Sequence, residues 1–466
     1  MGLILTRSPF HISRGNLDSG AGLSVEISQY VDGVATILET YNLSFRNINS
    51  IDISSLIAGE FINNRDILRV ETTISGTIDG VAQSDAISVY YSTNGYLYSS
   101  DGMNEDLSDD LRANAYYAGS SDTIYKLKEA SLNIPLLNTS LTGSISNNVG
   151  NPTFDSATDW SIRPLDIIED GVLKCGGEFG ARNYLGYAST TGADYKIKFE
   201  ISNYVSGSIA FFSGSNGTNI SGSVSGNGTY EFNYTQDATS NNLFSLYSAS
   251  GFEGHIDNVF LGERDSNNFE EITIDAKNNG SVVGTQTIEF DADTNTTSQQ
   301  AIFNIDDIDE VLITTDYATK AIKVNTTTEC KFSPYVLTFR NRLGVNEDLW
   351  FFKKSIREMK VNSTDFKSNQ LSNRIAGNLT RQVQEYNKNG VDSLSLNSGF
   401  VTEALNESFK QLMLSEEVQL YDFDNSTTKA VKISDSSLKI KTSVNDKLIN
   451  YTIEVEFSNN IIDDVI

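Results

Sequence analysis

Leu68-Arg69-Val70-Glu71-Thr72-Thr73-Ile74-Ser75-Gly76-Thr77-Ile78 and Val81-Ala82-Gln83-Ser84-Asp85-Ala86-Ile87-Ser88-Val89-Tyr90-Tyr91 stand on either side of the dipeptide Asp79-Gly80. Two β-rich runs split by two residues, the second a glycine, signal a hairpin, because a tight primed turn needs positive φ at its centre. Leu23 to Tyr30 and Val34 to Phe45 alternate apolar and polar residues in the same way, so residues 1–143 are expected to form an N-terminal β module, a small sandwich or barrel. Between these strands Asp52 to Phe61 carries one turn-like apolar stripe and is expected to be a short helix, and Asp101 to Asp110 reads as a solvated acidic loop.

Composition agrees with a folded, mostly β protein. The 466 residues hold only five prolines beside 34 glycines, 21 tyrosines and 24 phenylalanines, a balance that suits twisted antiparallel sheet better than disorder. The net charge of −27 argues against sequence-independent binding to nucleic acid or an anionic membrane. Fifteen basic and 42 acidic residues precede Lys320, and 19 of each follow from it, so the acidity belongs wholly to the first two-thirds. A neutral C-terminal third is free to self-associate, whereas the acidic part repels its copies. Cys175 and Cys330 are too few for a disulfide framework, lack metal-type spacing, and read as half-buried thiols. Met1 to Leu5, interrupted by Arg7, reads as an apolar strand or arm rather than a targeting segment, and no run approaches the ~20 apolar residues of a membrane span.

From 144 to 262 the texture changes to Gly/Ser/Asn turns between short aromatic strands: Tyr195 to Val205, Ser208 to Ser213, Gly228 to Tyr234, Leu243 to Ala249 and His255 to Leu261. This predicts an inserted sandwich, since residues 263–334 return to the style of the first module. Residues 335–466 are expected to form a C-terminal α+β module. It opens on a hairpin, Val336 to Arg342 and Asp348 to Lys354, continues with a helix from Phe400 to Met413 capped by Ser398, and ends in strands at Ala430 to Ile433, Leu438 to Ser443 and Tyr451 to Phe457. Trp350, Phe351 and Phe352 read either as an exposed anchor for a partner or as a strand buried on both sides.

Two stretches carry a resemblance. Asn151-Pro152-Thr153-Phe154, Trp160, Tyr195 to Tyr204, Asn227-Gly228-Thr229-Tyr230 and His255-Ile256-Asp257-Asn258-Val259-Phe260-Leu261 together resemble the carbohydrate-binding-module-like jelly rolls that recur in phage tail proteins. Cys330 to Tyr335, Phe339 to Gly344 and Asp348 to Lys354, with Lys441 to Thr452, look like tail structural proteins of phages infecting Bacteroidota. The resemblance implies a virion protein made in the bacterial cytoplasm and placed in the tail tip, baseplate or tail ring. Its partners would be other tail proteins, its own copies as a homo-oligomer, and host surface polysaccharide, with no nucleic acid and no membrane. In jelly rolls of this kind an Asp of the last strand often joins first-strand carbonyls around a structural calcium ion, which here implies Asp257 and Asn151.

Catalysis has little support in the sequence. His11 and His255 lack a flanking nucleophile motif, no Gly-x-Ser-x-Gly or phosphate-cradling loop is present, and the expectation is a protein that is not an enzyme. A tail-associated polysaccharide depolymerase needs only two carboxylates and stays the alternative, with a surface adhesin beside it. Glycan binding needs rings that stack on sugar faces. Tyr184, Tyr187, Trp160, Tyr230, Tyr234 and Tyr247 are the candidates, each with core packing as the competing role; Tyr184, Tyr187 and Tyr247 are preferred, and the resemblance implies a core position for Trp160.

Overall fold

The computed structural model describes residues 2–31, 34–61, 67–83, 86–139, 141, 149, 151–156, 160–162, 166–176, 182–188, 190–213, 218–219, 222–236, 243–248, 251–264, 269–291, 298–329, 331–367, 383–442 and 449–462; Ser144, Cys330 and the side chain of Tyr187 lie outside them. The chain is mostly β, with α-helices among the described residues at Ser54–Ala58, Ser108–Ala113 and Asn406–Leu414. One of these three lies in the C-terminal third, for which the sequence predicts a few helices in a mostly β fold. Two compact units emerge: one of Met1–Ser140, Glu271–Phe290 and Thr294–Ile466, the other of Leu141–Glu270 with Asp291–Asp293.

In the first unit Asp79 and Gly80 form the expected turn, with φ of 51° and 76° and the pairs Ile78↔Val81 and Thr77↔Ala82. Ile67–Ser75 and Ala86–Thr93 then pair at the centre of a five-stranded sheet, flanked by Gly22–Val31 and Val34–Ser44 on one side and by Gly2–Leu5 on the other. The last pairing is parallel. Alternation aims Leu23, Val25, Ile27, Leu68 and Val70 at one face, where they bury Ile53 and Ile57 of the short helix region. Asp52 Oδ1 holds that helix's first turn by accepting from Ser54 N (3.0 Å) and Ser54 Oγ (2.8 Å).

The C-terminal sheet has seven strands in the order Asn346–Phe351, Tyr335–Arg340, Val418–Asp422, Thr427–Ile433, Ile449–Phe457, Val383–Val401, Lys353–Lys367. Leu337, Phe339, Leu349 and Phe351 face Phe409 and Leu412 of the helix, whereas Val336, Trp350 and Phe352 fill a separate cluster with Leu127 and Ala130. Trp350 is 7% exposed, so the strand buried on both sides is what the structure contains and the exposed anchor is not. The helix also starts later than expected. Phe400 and Val401 are still strand, paired with Asn450 and Ile449, because a bulge at Gly399 (φ 73°) keeps the ladder going. Ser398 caps nothing; its Oγ accepts from Tyr451 N at 2.9 Å inside the sheet. Residues 434–442, expected to include a strand from Leu438, carry none.

The loop Asn341 to Val345 of the C-terminal hairpin lies against the end of the N-terminal sheet. Tyr96 N donates to Arg342 O (2.8 Å) and Thr93 Oγ1 to Leu343 O (2.7 Å). Two glycines permit this approach: a Cβ at Gly95 would stand 2.4 Å from Arg342 O, and one at Gly344 (φ 78°) 2.9 Å from Thr93 Cβ. On the neighbouring five-stranded sheet, Lys126 is fully buried and its Nζ donates to Ala130 O (2.8 Å), Ile305 O (2.8 Å) and Lys128 O (3.1 Å), an ammonium paired with carbonyl dipoles instead of water.

The second unit is a sandwich of two five-stranded antiparallel sheets. One runs Trp160–Ser161, Arg182–Ala188, Leu243–Ser248, Ile209–Ser213, Thr218–Asn219, and the other Ile167–Glu169, Val172–Gly176, Glu253–Arg264, Asp194–Ser206, Gly228–Thr235. The chain changes sheet between most consecutive strands, which is jelly-roll connectivity. Phe199, Phe211, Phe244, Phe252 and Tyr195 close the space between the sheets.

Gly95→Ala is expected to cost about 1–3 kcal/mol of stability by overpacking, whereas Gly80→Asn, where a Cβ meets nothing within 4 Å but φ is 76°, should cost about 1 kcal/mol through backbone strain alone. Urea unfolding of both variants checks this.

Candidate functional site

In the jelly roll, Phe244 and Leu246 point into the core, as do Leu185 and Phe211 on the flanking strands. The alternate residues therefore face the other side of that sheet. Register places Tyr184 and Phe212 directly opposite Ser245, one on each neighbouring strand, and Tyr247 follows two residues along on the same face. Tyr184, Phe212 and Tyr247 are half-buried. Phe212 and Tyr247 meet edge to face with centroids 4.9 Å apart. Between them Ser245 Oγ is buried with no hydrogen-bond partner among the described residues. Of the three preferred aromatics, Tyr184 and Tyr247 thus share a face, and the side chain of Tyr187, on the same strand as Tyr184, lies outside the described residues. Phe212 was missed by the sequence reading; its alternation with Phe211 was the signal available.

The other aromatics have structural duties. Trp160 packs on Phe154 at 5.0 Å and donates its indole N–H to Asn151 O at 3.2 Å. Tyr230 stacks toward Phe199 at 5.8 Å and donates to Ser225 O at 2.8 Å. Tyr234 packs against the same core.

Asp257 lies on the strand Glu253–Arg264, next to Val259, whose N–H donates to Pro152 O at 3.0 Å. Burial raises its pKa; the Asn258 N–H pulls it back down, and Glu200 and Asp155 push it further up. Asn151 is committed elsewhere: its Oδ1 accepts from Asp155 N at 3.1 Å, its Nδ2 donates to Ser156 O, and its carbonyl takes the Trp160 indole. Among the described residues no three His, Cys, Asp or Glu side chains are grouped as metal ligands. His255 shares a hydrogen bond with the Asn203 amide at 3.0 Å.

The first unit holds a groove of about 360 Å³ between the C-terminal sheet and the segment Ala130 to Asn133, lined by Asn133, Thr338, Asp348, Trp350, Tyr421 and Phe423 among others. Asp348 Oδ1 accepts from Thr338 Oγ1 (2.5 Å) and Oδ2 from Asn133 Nδ2 (2.6 Å). Burial lifts its pKa above the ordinary aspartate range, against the pull of those two donors. A larger cavity, of about 460 Å³, is lined by Tyr98, Arg342, Glu407 and Lys410. Tyr98 donates to Glu407 Oε1 at 2.5 Å and sits between the Lys410 ammonium (3.4 Å from the ring centroid) and the Arg342 guanidinium (4.8 Å). Burial, then the Glu407 hydrogen bond, push the Tyr98 phenol far above its usual range, so it acts as a donor and not as an acid at neutral pH.

Compared with known proteins, the chain matches no family model and no curated protein.

A carboxyl whose folded pKa exceeds its unfolded one binds more protons folded than unfolded, so its stabilisation is full at acid pH and is lost as pH rises through the folded pKa. Asp348→Asn removes that loss; its amide oxygen still accepts from Asn133 Nδ2, while its amide N–H must donate to Thr338 Oγ1 where the carboxylate had accepted. The variant should show a flatter decline of stability above pH 4 than the wild type, by on the order of 1 kcal/mol for each unit of the shift, when unfolding is followed at several pH values.

Proposed function

We propose that the chain is a structural subunit of a phage tail that self-associates, and that its jelly-roll unit docks neutral host surface glycans on the face carrying Tyr184, Phe212 and Tyr247. The observation that carries the glycan reading is this aromatic row, which the register of three neighbouring strands sets on one face of the sheet. Flat rings give sugar C–H faces a stacking surface, and a row on one strand pair suits an extended chain better than a compact ligand. Neutral sugars need no compensating cation, which fits a chain of net charge −27 that repels anionic polymers. The tail reading is supported by the resemblance of Cys330 to Lys354 and Lys441 to Thr452, and self-association by the neutral C-terminal third. Several copies facing one cell would raise the effective concentration, so weak single sites suffice.

An array of neutral bacterial polysaccharides probed with the full chain on multivalent beads tests this. Wild type should bind. Tyr184→Ala, Phe212→Ala and Tyr247→Ala should each lose roughly three- to tenfold in affinity, with the exposed control Val282→Ser unchanged. Folded protein that binds none of the glycans contradicts the reading.

A further inference from the structure

The most exposed regular structure in the chain is a ribbon. Lys353–Lys367 and Val383–Val401 are strands of 15 and 19 residues, paired antiparallel from Lys353↔Asn397 to Lys367↔Val383. The inner part of Val383–Val401 is covered by Ile449–Phe457, whose pairing stops at Ser393. Farther out, Ile461 N donates to Gly390 O (2.7 Å) and Ile462 N to Asn389 Oδ1 (3.0 Å), so among the described residues the ribbon is two strands wide only from Ser363 to Lys367 and Val383 to Lys388, roughly 15–20 Å at ~3.3 Å per residue. Lys353–Lys367 is also the edge of the seven-stranded sheet, so its outer row of N–H and C=O groups is open to another strand. Two-stranded ribbons are marginal in water on their own, and this one exposes Ile356, Met359, Val361, Phe366, Val383 and Tyr386, with Met359 58% exposed. Phe366 and Tyr386 meet edge to face at 5.7 Å near the tip.

Its charge says what covers it. Lys353–Lys367 holds five basic residues (Lys353, Lys354, Arg357, Lys360, Lys367) and two acidic ones, Glu358 and Asp365, and Val383–Val401 adds Lys388 against Glu385 and Asp392, so the two strands carry +3 and −1, a net +2 within a chain of −27. Lys354 and Lys367 have no ion-pair partner among the described residues. The residues before Lys320 provide the opposite charge in every copy. We infer that this ribbon is an assembly arm that seats on the acidic surface of a second copy of the chain. Two arms of like charge do not pair edge to edge, so the contact is heterologous, arm to body, and it closes a ring or continues as a stack. The inference rests on the reading of the chain as a self-associating subunit and names the surface that does it.

Sedimentation velocity over a concentration series, run on the full chain, tests it. Wild type should sediment as an oligomer whose association weakens as salt rises, as an ionic contact requires. Lys354→Glu/Lys367→Glu should weaken association at least tenfold with an unchanged circular dichroism spectrum, and Met359→Ser/Phe366→Ser, which removes apolar area without altering charge, should weaken it as well. Wild-type oligomers that persist in both variants overturn the arm and leave the subunit reading standing. A wild-type chain that stays monomeric at the highest concentration overturns both.

Discussion

The first unit depends on one partly buried carboxylate. Glu347 keeps some exposure, yet burial raises its pKa, and hydrogen bonds from Ser120 and Asn341 pull against that rise. Its oxygens accept from Ser120 N (2.9 Å), Ser120 Oγ (2.5 Å) and Asn341 Nδ2 (3.1 Å). Asn341 in turn donates to Ala118 O (2.7 Å) and accepts from Leu343 N (3.0 Å), while Ser120 Oγ meets Ser408 Oγ of the helix at 2.7 Å. Three distant parts of the sequence are thereby tied to one charge: the turn after Ser108–Ala113, the loop of the C-terminal hairpin, and the helix Asn406–Leu414. Hydrogen bonds to a charged group are worth roughly 1.5–3 kcal/mol each, and leaving a buried charge unpaired is costlier than never having it. That arrangement fixes the hairpin loop where Gly95 and Gly344 let it lie, and so fixes the seven-stranded sheet against the N-terminal one.

Much of this was legible in the sequence, and what was not has physical reasons. The Asp79-Gly80 hairpin and the five jelly-roll strands from Tyr195 to Leu261 could be read because alternation and turn chemistry are local. The helix after Ser398 could not be bounded, because Phe400, Ala404, Leu405 and Phe409 satisfy helical spacing while Phe400 and Val401 are held in strand by partners some fifty residues away. Lys-rich Leu438 to Thr442 looked like an edge strand, yet it is held by side chains instead: Asn406 Nδ2 donates to Lys441 O and Lys441 Nζ to Asn450 O. The Glu347 network was invisible for a related reason, since no local pattern marks which of 61 acidic residues will be partly buried.

The same limits apply to the candidate sites. Tyr184 and Tyr247 could be named from composition, but their sharing a face with Phe212 follows only from register. The ribbon was half legible: Lys353 to Lys367 alternates weakly, and nothing in it says that nearly every residue faces solvent. Its charge was there to be counted. On the proposed reading, the acidic body, the basic arm and the aromatic row would divide the labour of one chain between repelling, joining and adhering surfaces, set by electrostatics and ring stacking.

An electron cryomicroscopy map of a phage tail that contains this chain is the most direct test of the account. It should show the chain as a ring or a continuing stack of copies, with each Lys353–Lys367 strand lying on the acidic surface of the adjacent copy. A particle that lacks the chain, or that carries it as isolated copies with the ribbon in solvent, would contradict the account.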